Sequence, residues 1–173
     1  MHPKTEVSAT RSSIEKILKS GWVGQIKIHG HRAQVHLNAD PKIEPVVYNR
    51  QGRPHKMVLP KKIAEELRRV LDLEDGWTVL DAEWLKPEEK LFIFDILKQD
   101  GRLLRSMTYA ERYELLPKSY ISPHLKTLPL LTTLEKCMEV LDSSKEDIEG
   151  LVFKAPNAKG FEDTSIVRCR KRR

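Results

Sequence analysis

The sequence predicts an α+β fold in which antiparallel sheets are flanked by helices. Segments with period-two alternation stand in adjacent runs, Gln25 to Leu37 and again Thr78 to Leu97. Helical segments fall between these runs irregularly rather than one after each strand. Regular alternation would instead predict a doubly wound parallel sheet.

The elements follow in chain order. Ser12 to Ser20 reads as a short helix, with Ile14, Ile17 and Leu18 at helical spacing and Ser12 or Ser13 as its cap. From Gly24 the period becomes two: Ala33, Val35 and Leu37 point one way, Gln34, His36 and Asn38 the other. With Gly30 as the turn, Gln25 to Leu37 is expected to be a hairpin whose first strand carries Lys27. Val46 to Tyr48 reads as another strand, ended by the turn Gln51-Gly52-Arg53-Pro54. Lys61 to Leu71 is an amphipathic helix entered through Pro60. Thr78 to Leu85 and Lys90 to Leu97 are strands about a Pro87-Glu88-Glu89 turn. Thr108 to Leu116 and Thr132 to Leu141 are helices, the second with a threonine cap. Pro117 to Pro129 holds three prolines and is expected to cross the surface without regular structure. Glu149 to Lys154 and Ser165 to Arg170 close the chain as strands.

At 173 residues the chain is read as one domain, 1–173, with a short basic tail at 171–173. The formal net charge of +6 suits a polyanionic partner and speaks to association rather than fold. Two cysteines, Cys137 and Cys169, are too few and too ill-spaced for a disulfide framework or a zinc site, which points to a reducing cytoplasm. No apolar stretch approaches membrane-spanning length and no signal-peptide core is visible, so no membrane partner is expected.

Lys27-Ile28-His29-Gly30 is followed at the far end by Glu149-Gly150-Leu151-Val152-Phe153-Lys154 and then by Arg168-Cys169-Arg170. Between them stand Tyr48-Asn49-Arg50-Gln51-Gly52, Leu80-Asp81-Ala82-Glu83, Phe92-Ile93-Phe94-Asp95-Ile96-Leu97 and the helical Glu111-Arg112-Tyr113-Glu114-Leu115-Leu116. In this order they resemble the nucleotidyltransferase domain shared by ATP-dependent polynucleotide ligases and messenger RNA capping enzymes, across nearly the whole chain. The first motif of that superfamily is Lys-x-Asp-Gly; histidine replaces aspartate here, similar to the Lys-x-His-Gly of some RNA ligases. Alanine at 82 replaces a glycine of Leu-Asp-Gly-Glu, and Arg168 and Arg170 fill a Lys-x-Lys slot, keeping charge but not shape.

The resemblance implies that Lys27 attacks the α-phosphorus of ATP, expels pyrophosphate and carries AMP. A lysine amine is a nucleophile only without its proton, and its reference pKa is about 10.4, so cations around it are expected. Arg168 and Arg170 would neutralise the α-phosphate, and Glu149 would hold Mg²⁺ (or Mn²⁺). Glu83 would accept from a ribose hydroxyl, and Phe94, or Phe92 on the same strand face, would stack on adenine. Arg32, Arg50 and Lys154 join the nucleotide site. Glu149 opens a strand on which apolar Leu151 and Phe153 alternate, and its side chain is expected to leave their face for the nucleotide.

His29, His31 and His36 lie close in sequence but have no cysteine or carboxylate at ligand spacing; His29 is expected to orient the lysine turn and His31 to face solvent or substrate. The chain ends three residues after Arg170, where DNA ligases and capping enzymes continue into an OB-fold domain. It is therefore expected to be either a fragment or a minimal, monomeric single-domain ligase. Lys171, Arg172 and Arg173 are expected to contact the polynucleotide backbone. Lys-x-His-Gly and the missing OB domain tilt the substrate slightly toward RNA; Arg32, Arg50 and Glu111-Arg112 tilt it back toward DNA. GTP in place of ATP, and a homologue that binds ends without sealing them, remain open alternatives.

Overall fold

The computed structural model describes residues 5–56, 58–86, 89–161 and 166–171. Their contacts divide into two compact units, Met1–His29 with Leu128–Arg173, and Gly30–Thr127.

The first unit is built on a four-stranded sheet. Its strands are β1 (Thr5–Glu6), β2 (Val23–Ile28), β9 (Ile148–Lys154) and β10 (Ile166–Arg170), in the order β1-β10-β9-β2. β9 is antiparallel to both neighbours, whereas β1 runs parallel to β10, so the sheet is mixed rather than purely antiparallel. Helix α1 (Arg11–Lys19) is capped by Thr10, whose hydroxyl accepts from the Ser13 amide, two or three residues before Ser12 or Ser13. Helix α4 (Leu134–Leu141) is capped by Thr133. Ile14, Cys137 and Leu141 from the helices bury against Leu151, Phe153 and Cys169 from the sheet. Burial raises the Cys137 thiol to about 11, and Cys169 to about 11, so both behave as small apolar core groups.

The second unit holds a six-stranded sheet of β3 (His31–Asn38), β4 (Val46–Tyr48), β5 (Trp77–Leu85), β6 (Lys90–Gln99), β7 (Arg102–Leu103) and β8 (Leu125–Thr127). Cross-strand register stacks Ala33, Ala82 and Ile93, and beside them Val35, Leu80 and Ile96, on one buried face. Ile63 and Leu67 of α2 (Lys61–Val70) are buried as well. Helix α3 (Tyr109–Glu114) is started by a capping box between Thr108 and Glu111.

Two expectations need correction. β2 and β3 do not form a hairpin: β2 pairs with β9 and β3 with β4 and β5. Gly30 marks a change of sheet instead, and it is glycine for space, since a Cβ there would lie 2.8 Å from the Trp84 carbonyl oxygen. The Pro117 to Pro129 segment is not irregular throughout, because Leu125–Thr127 forms β8, parallel to β6, with Leu125 and Leu128 buried. Pro87, Glu88, Ser165, Arg172 and Arg173 lie outside the described residues, so part of the 87–89 turn, the start of the last strand and the tail beyond Lys171 do too.

Arg112 is 3 % exposed and donates from Nε and the terminal nitrogen Nη2 to the two Asp95 oxygens at 2.9 and 3.0 Å, locking α3 to β6. Breaking such a pair leaves a buried carboxylate uncompensated. Arg112→Ala is expected to lower unfolding stability by about 3–5 kcal/mol. Denaturant titration checks this; an unchanged midpoint would mean that solvent reaches Asp95.

Candidate functional site

The first unit's sheet has a core face and a polar face, sorted by register. Ile26, Leu151 and Cys169 are paired across the strands on the core face. Gln25, Val152 and Arg168, and next to them Lys27, Gly150 and Arg170, are paired on the other. Lys27, Arg168 and Arg170 therefore share a face.

Glu149 reaches that group through a bulge. Lys27 pairs with Gly150 and Ile28 with Ile148, so Glu149 has no partner opposite it. Strict alternation would put Glu149 on the face of Leu151 and Phe153; the extra residue re-aims it. The expected direction is thus correct, but alternation is not its cause. Gly150 makes the bulge possible: its φ is +154°, and a Cβ there would strike the Cys169 carbonyl and lie 2.9 Å from the Arg170 Cα.

Glu149 gathers the cations around it. Lys27 Nζ donates to Glu149 Oε2 at 2.6 Å, with the two side chains 20 % and 25 % exposed. His29 Nδ1 lies 3.7 Å from the same oxygen, and Arg170 Nε 3.6 Å from Oε1. Burial pushes the Glu149 carboxyl up, but the hydrogen bond and charge of Lys27, backed by His29 and Arg170, hold it below its ordinary value. Arg168 leans toward Glu6, Nε to Oε2 3.4 Å. Lys154 is drawn inside: it is 6 % exposed and donates to Gln25 Oε1 at 2.8 Å, while Gln25 Nε2 donates to the Leu128 carbonyl. Lys171 donates to the carbonyls of Ser143 and Lys145 at 2.9 and 2.7 Å and so closes a loop.

The second unit carries the remaining predicted residues. Arg32 donates to both oxygens of buried Asp81, and its guanidinium carbon lies 5.3 Å from the centre of the Phe94 ring. Burial lowers the Arg32 pKa, but the charge and hydrogen bond of Asp81, with Glu83 and Asp95 behind it, raise it overall. Glu83 sits opposite both Arg32 on β3 and Phe92 on β6. Phe94 is itself at a bulge, since Asp81 pairs with Asp95 and Ala82 with Ile93. Arg32, Glu83 and Phe94 are thus brought together.

Arg50 lies on a turn and lines, with Arg32, His31, His55, Lys56 and Lys86, a cavity of about 350 Å³. Sequence reasoning passed over Asp81 as the partner of Arg32, and Gln25, His55, Lys56 and Lys86 altogether. Gln25 had a signal, lying two residues before Lys27 on the same strand face. His29, His31 and His36 gather no ligand set: among the described residues no group of three or more His, Cys, Asp or Glu is placed to hold a metal.

The family model for RNA ligase matches residues 20–171. The chain belongs to the RNA ligase family. Solved structures agree on the fold. A mycobacterial DNA ligase D complexed with ATP and MES matches with a TM-score of 0.59 and 20 % identity, covering 86 % of this chain and 54 % of that one. An archaeal ATP-dependent RNA ligase matches at 0.55 and 16 %, covering 98 % and 48 %. A Lig E DNA ligase matches at 0.57 and 11 %, covering 98 % and 69 %. The chain spans about half the length of the DNA ligase D and archaeal RNA ligase chains it matches. These likenesses support the α+β ligase nucleotidyltransferase fold expected of the sequence. The Lys27-Ile28-His29-Gly30 and Glu149-Gly150 segments of this chain meet at Lys27 and Glu149.

Proposed function

We propose that this chain is an ATP-dependent polynucleotide ligase that adenylates itself on Lys27, passes AMP to a 5′-phosphate end and seals that end to a 3′-hydroxyl. The observation that carries this reading is Lys27 held at 2.6 Å by Glu149, beside a bulge that only glycine allows, within a family match of nearly full length. RNA or RNA-containing ends are slightly favoured, on Lys-x-His-Gly; a DNA nick is the alternative.

Lys27 must lose both its proton and its ion pair before its lone pair can attack the α-phosphorus. The N–P bond forms as the bond to the bridging oxygen breaks, and pyrophosphate leaves with that electron pair. Arg170, exposed and only weakly tied to Glu149, is free to swing toward the α-phosphate, and Arg168 shares its face. Arg32, Glu83 and Phe94 would hold the nucleoside, with Arg50 as a further nucleotide-binding residue. Lys154, buried against Gln25, would support the site from beneath rather than touch nucleotide.

Mg²⁺ (or Mn²⁺) is the implied metal. Such ions commonly take one or two carboxylates together with substrate phosphates, and Glu149, a single carboxylate turned onto the polar face, fits that mode. When bound, the ion would neutralise phosphate charge.

Departures at His29, Ala82, Arg168 and Arg170 favour a second reading, a homologue that binds nucleotide or nucleic-acid ends without sealing. Labelled ATP with Mg²⁺ separates the two: covalent label on the protein supports the enzyme, and its absence supports the binder. Label from GTP instead would make it a guanylyltransferase. Nicked duplexes in every DNA and RNA strand combination decide the substrate. A cytoplasmic, monomeric protein accords with this reading, and among the described residues no helix is long and apolar enough to cross a membrane.

A further inference from the structure

The cavity of about 350 Å³ in the second unit is lined by cationic side chains on three segments: Arg32 on β3, Arg50 and Lys56 on a turn, and Lys86 just after β5. The turn closes on itself. Asn49 N donates to the Arg53 carbonyl at 2.7 Å, and Asn49 Oδ1 accepts from the amides of Gln51 and Arg53 at 3.0 Å each. Arg50 is exposed at its tip, so its position depends on how the turn is fixed to the sheet.

That fixing runs through His55. Its amide donates to the Val47 carbonyl at 2.9 Å, and its ring nitrogen Nε2 lies 2.9 Å from the Arg32 carbonyl oxygen. A carbonyl only accepts, so Nε2 carries the proton. The ring also meets Trp84 edge-on, centroids 5.6 Å apart, and Trp84 is 1 % exposed, a rigid wall. Lys86 Nζ lies over the same indole at 5.2 Å. One histidine thus ties the turn that bears Arg50 and Lys56 to β3 beneath Arg32 and to the indole on which Lys86 rests.

We propose that His55 is a positioning residue that holds this cation-lined cavity in the shape that takes a phosphate of the polynucleotide substrate. The proposal rests on the ligase reading for its ligand. His55 acts through the placement of Arg50, Lys56 and Lys86, and no bond is made or broken at it.

Glutamine can set its amide nitrogen near the place of Nε2, whereas asparagine stops short of it. His55→Gln, His55→Asn and His55→Ala are compared with the unaltered protein in fluorescence anisotropy with a nicked duplex bearing a 5′-phosphate, at fixed salt. Thermal midpoints and self-adenylation are recorded on the same preparations. The alanine and asparagine variants should bind about tenfold more weakly, the scale of one net hydrogen bond, and glutamine should recover to within about threefold. In sealing assays the loss should fall on KM for the duplex rather than on kcat. Equal affinity of the glutamine and asparagine variants overturns the proposal, even if alanine fails to fold. Wild-type affinity in the alanine variant, or no binding by the unaltered protein, overturns it too. Failure of the unaltered protein to label with ATP sinks the ligase reading alone, because the binding comparison still decides the role of His55.

Discussion

Lys27→Ala should abolish covalent labelling by ATP, a loss on the order of 10³-fold or more, as expected when a nucleophile is removed. The fold should survive. Lys27 sits on the polar face of its sheet rather than in the core, and Glu149 keeps Arg170 and His29 within 3.7 Å after the change. Lys27→Arg sharpens the test. A guanidinium preserves the charge and can pair with Glu149, yet it stays protonated and offers no lone pair. It should restore the alanine variant's lost stability and none of its labelling. Intact-protein mass spectrometry reads the adduct directly, and circular dichroism checks the fold. Persistent adduct in either variant would name another lysine; Lys154, buried against Gln25, is poorly placed for that role.

Which parts of this site could be read from the sequence follows from the range of the interactions involved. Lys27, Gly30, Glu149 and Gly150 announce themselves because each sits in a short segment with a local geometric demand. Period-two alternation located most of the strands, since each buries alternate residues. It could not say which strands pair. Gly30 signals a sharp change of direction whether the strands it joins pair with each other or part into different sheets, and here they part. Bulges are invisible for a related reason. The alternation of Leu151 and Phe153 continues backward to Glu149 on paper, and only the pairing of Lys27 with Gly150 and Ile28 with Ile148 shows where it breaks. Phe94 is displaced by the same device on β6. Two residues read from motifs thus owe their aim to irregularities that no periodicity records. The cavity around Arg50 was hidden because His55 and Lys86 meet only through the packing of a turn on a strand.

Glu149 is expected to govern both the acid stability of the first unit and the chemistry at Lys27, and the two effects can be separated. Its carboxyl is held below its ordinary value mainly by Lys27, against the opposing pull of burial. A depressed carboxylate contributes stability that is fully present above its unfolded pKa, about 4.3, and is lost as pH falls through the folded value. The thermal midpoint of the protein should therefore fall on acidification below about pH 4.3. In Glu149→Gln that contribution is missing at neutral pH, and the gap between variant and wild type should close as the pH drops through that window. Parallel pH curves would show that the Lys27 contact adds no stability. At neutral pH with Mg²⁺, Glu149→Ala should lose about 10²-fold of self-adenylation, comparable to removing one electrostatic stabiliser of a transition state. Excess chelator should abolish labelling in the wild type, whereas full activity in chelator would rule out a metal-assisted reaction. If Glu149 serves only to hold Lys27 in place, Glu149→Gln, which still offers an oxygen to the ammonium, should label nearly as well as wild type. If it serves as a metal ligand, a neutral amide is a poor substitute for a carboxylate, and glutamine should fail almost as badly as alanine. The second outcome is the expected one, because a carboxylate re-aimed by its own bulge onto the face of Lys27 and Arg170 is placed for more than a surface ion pair.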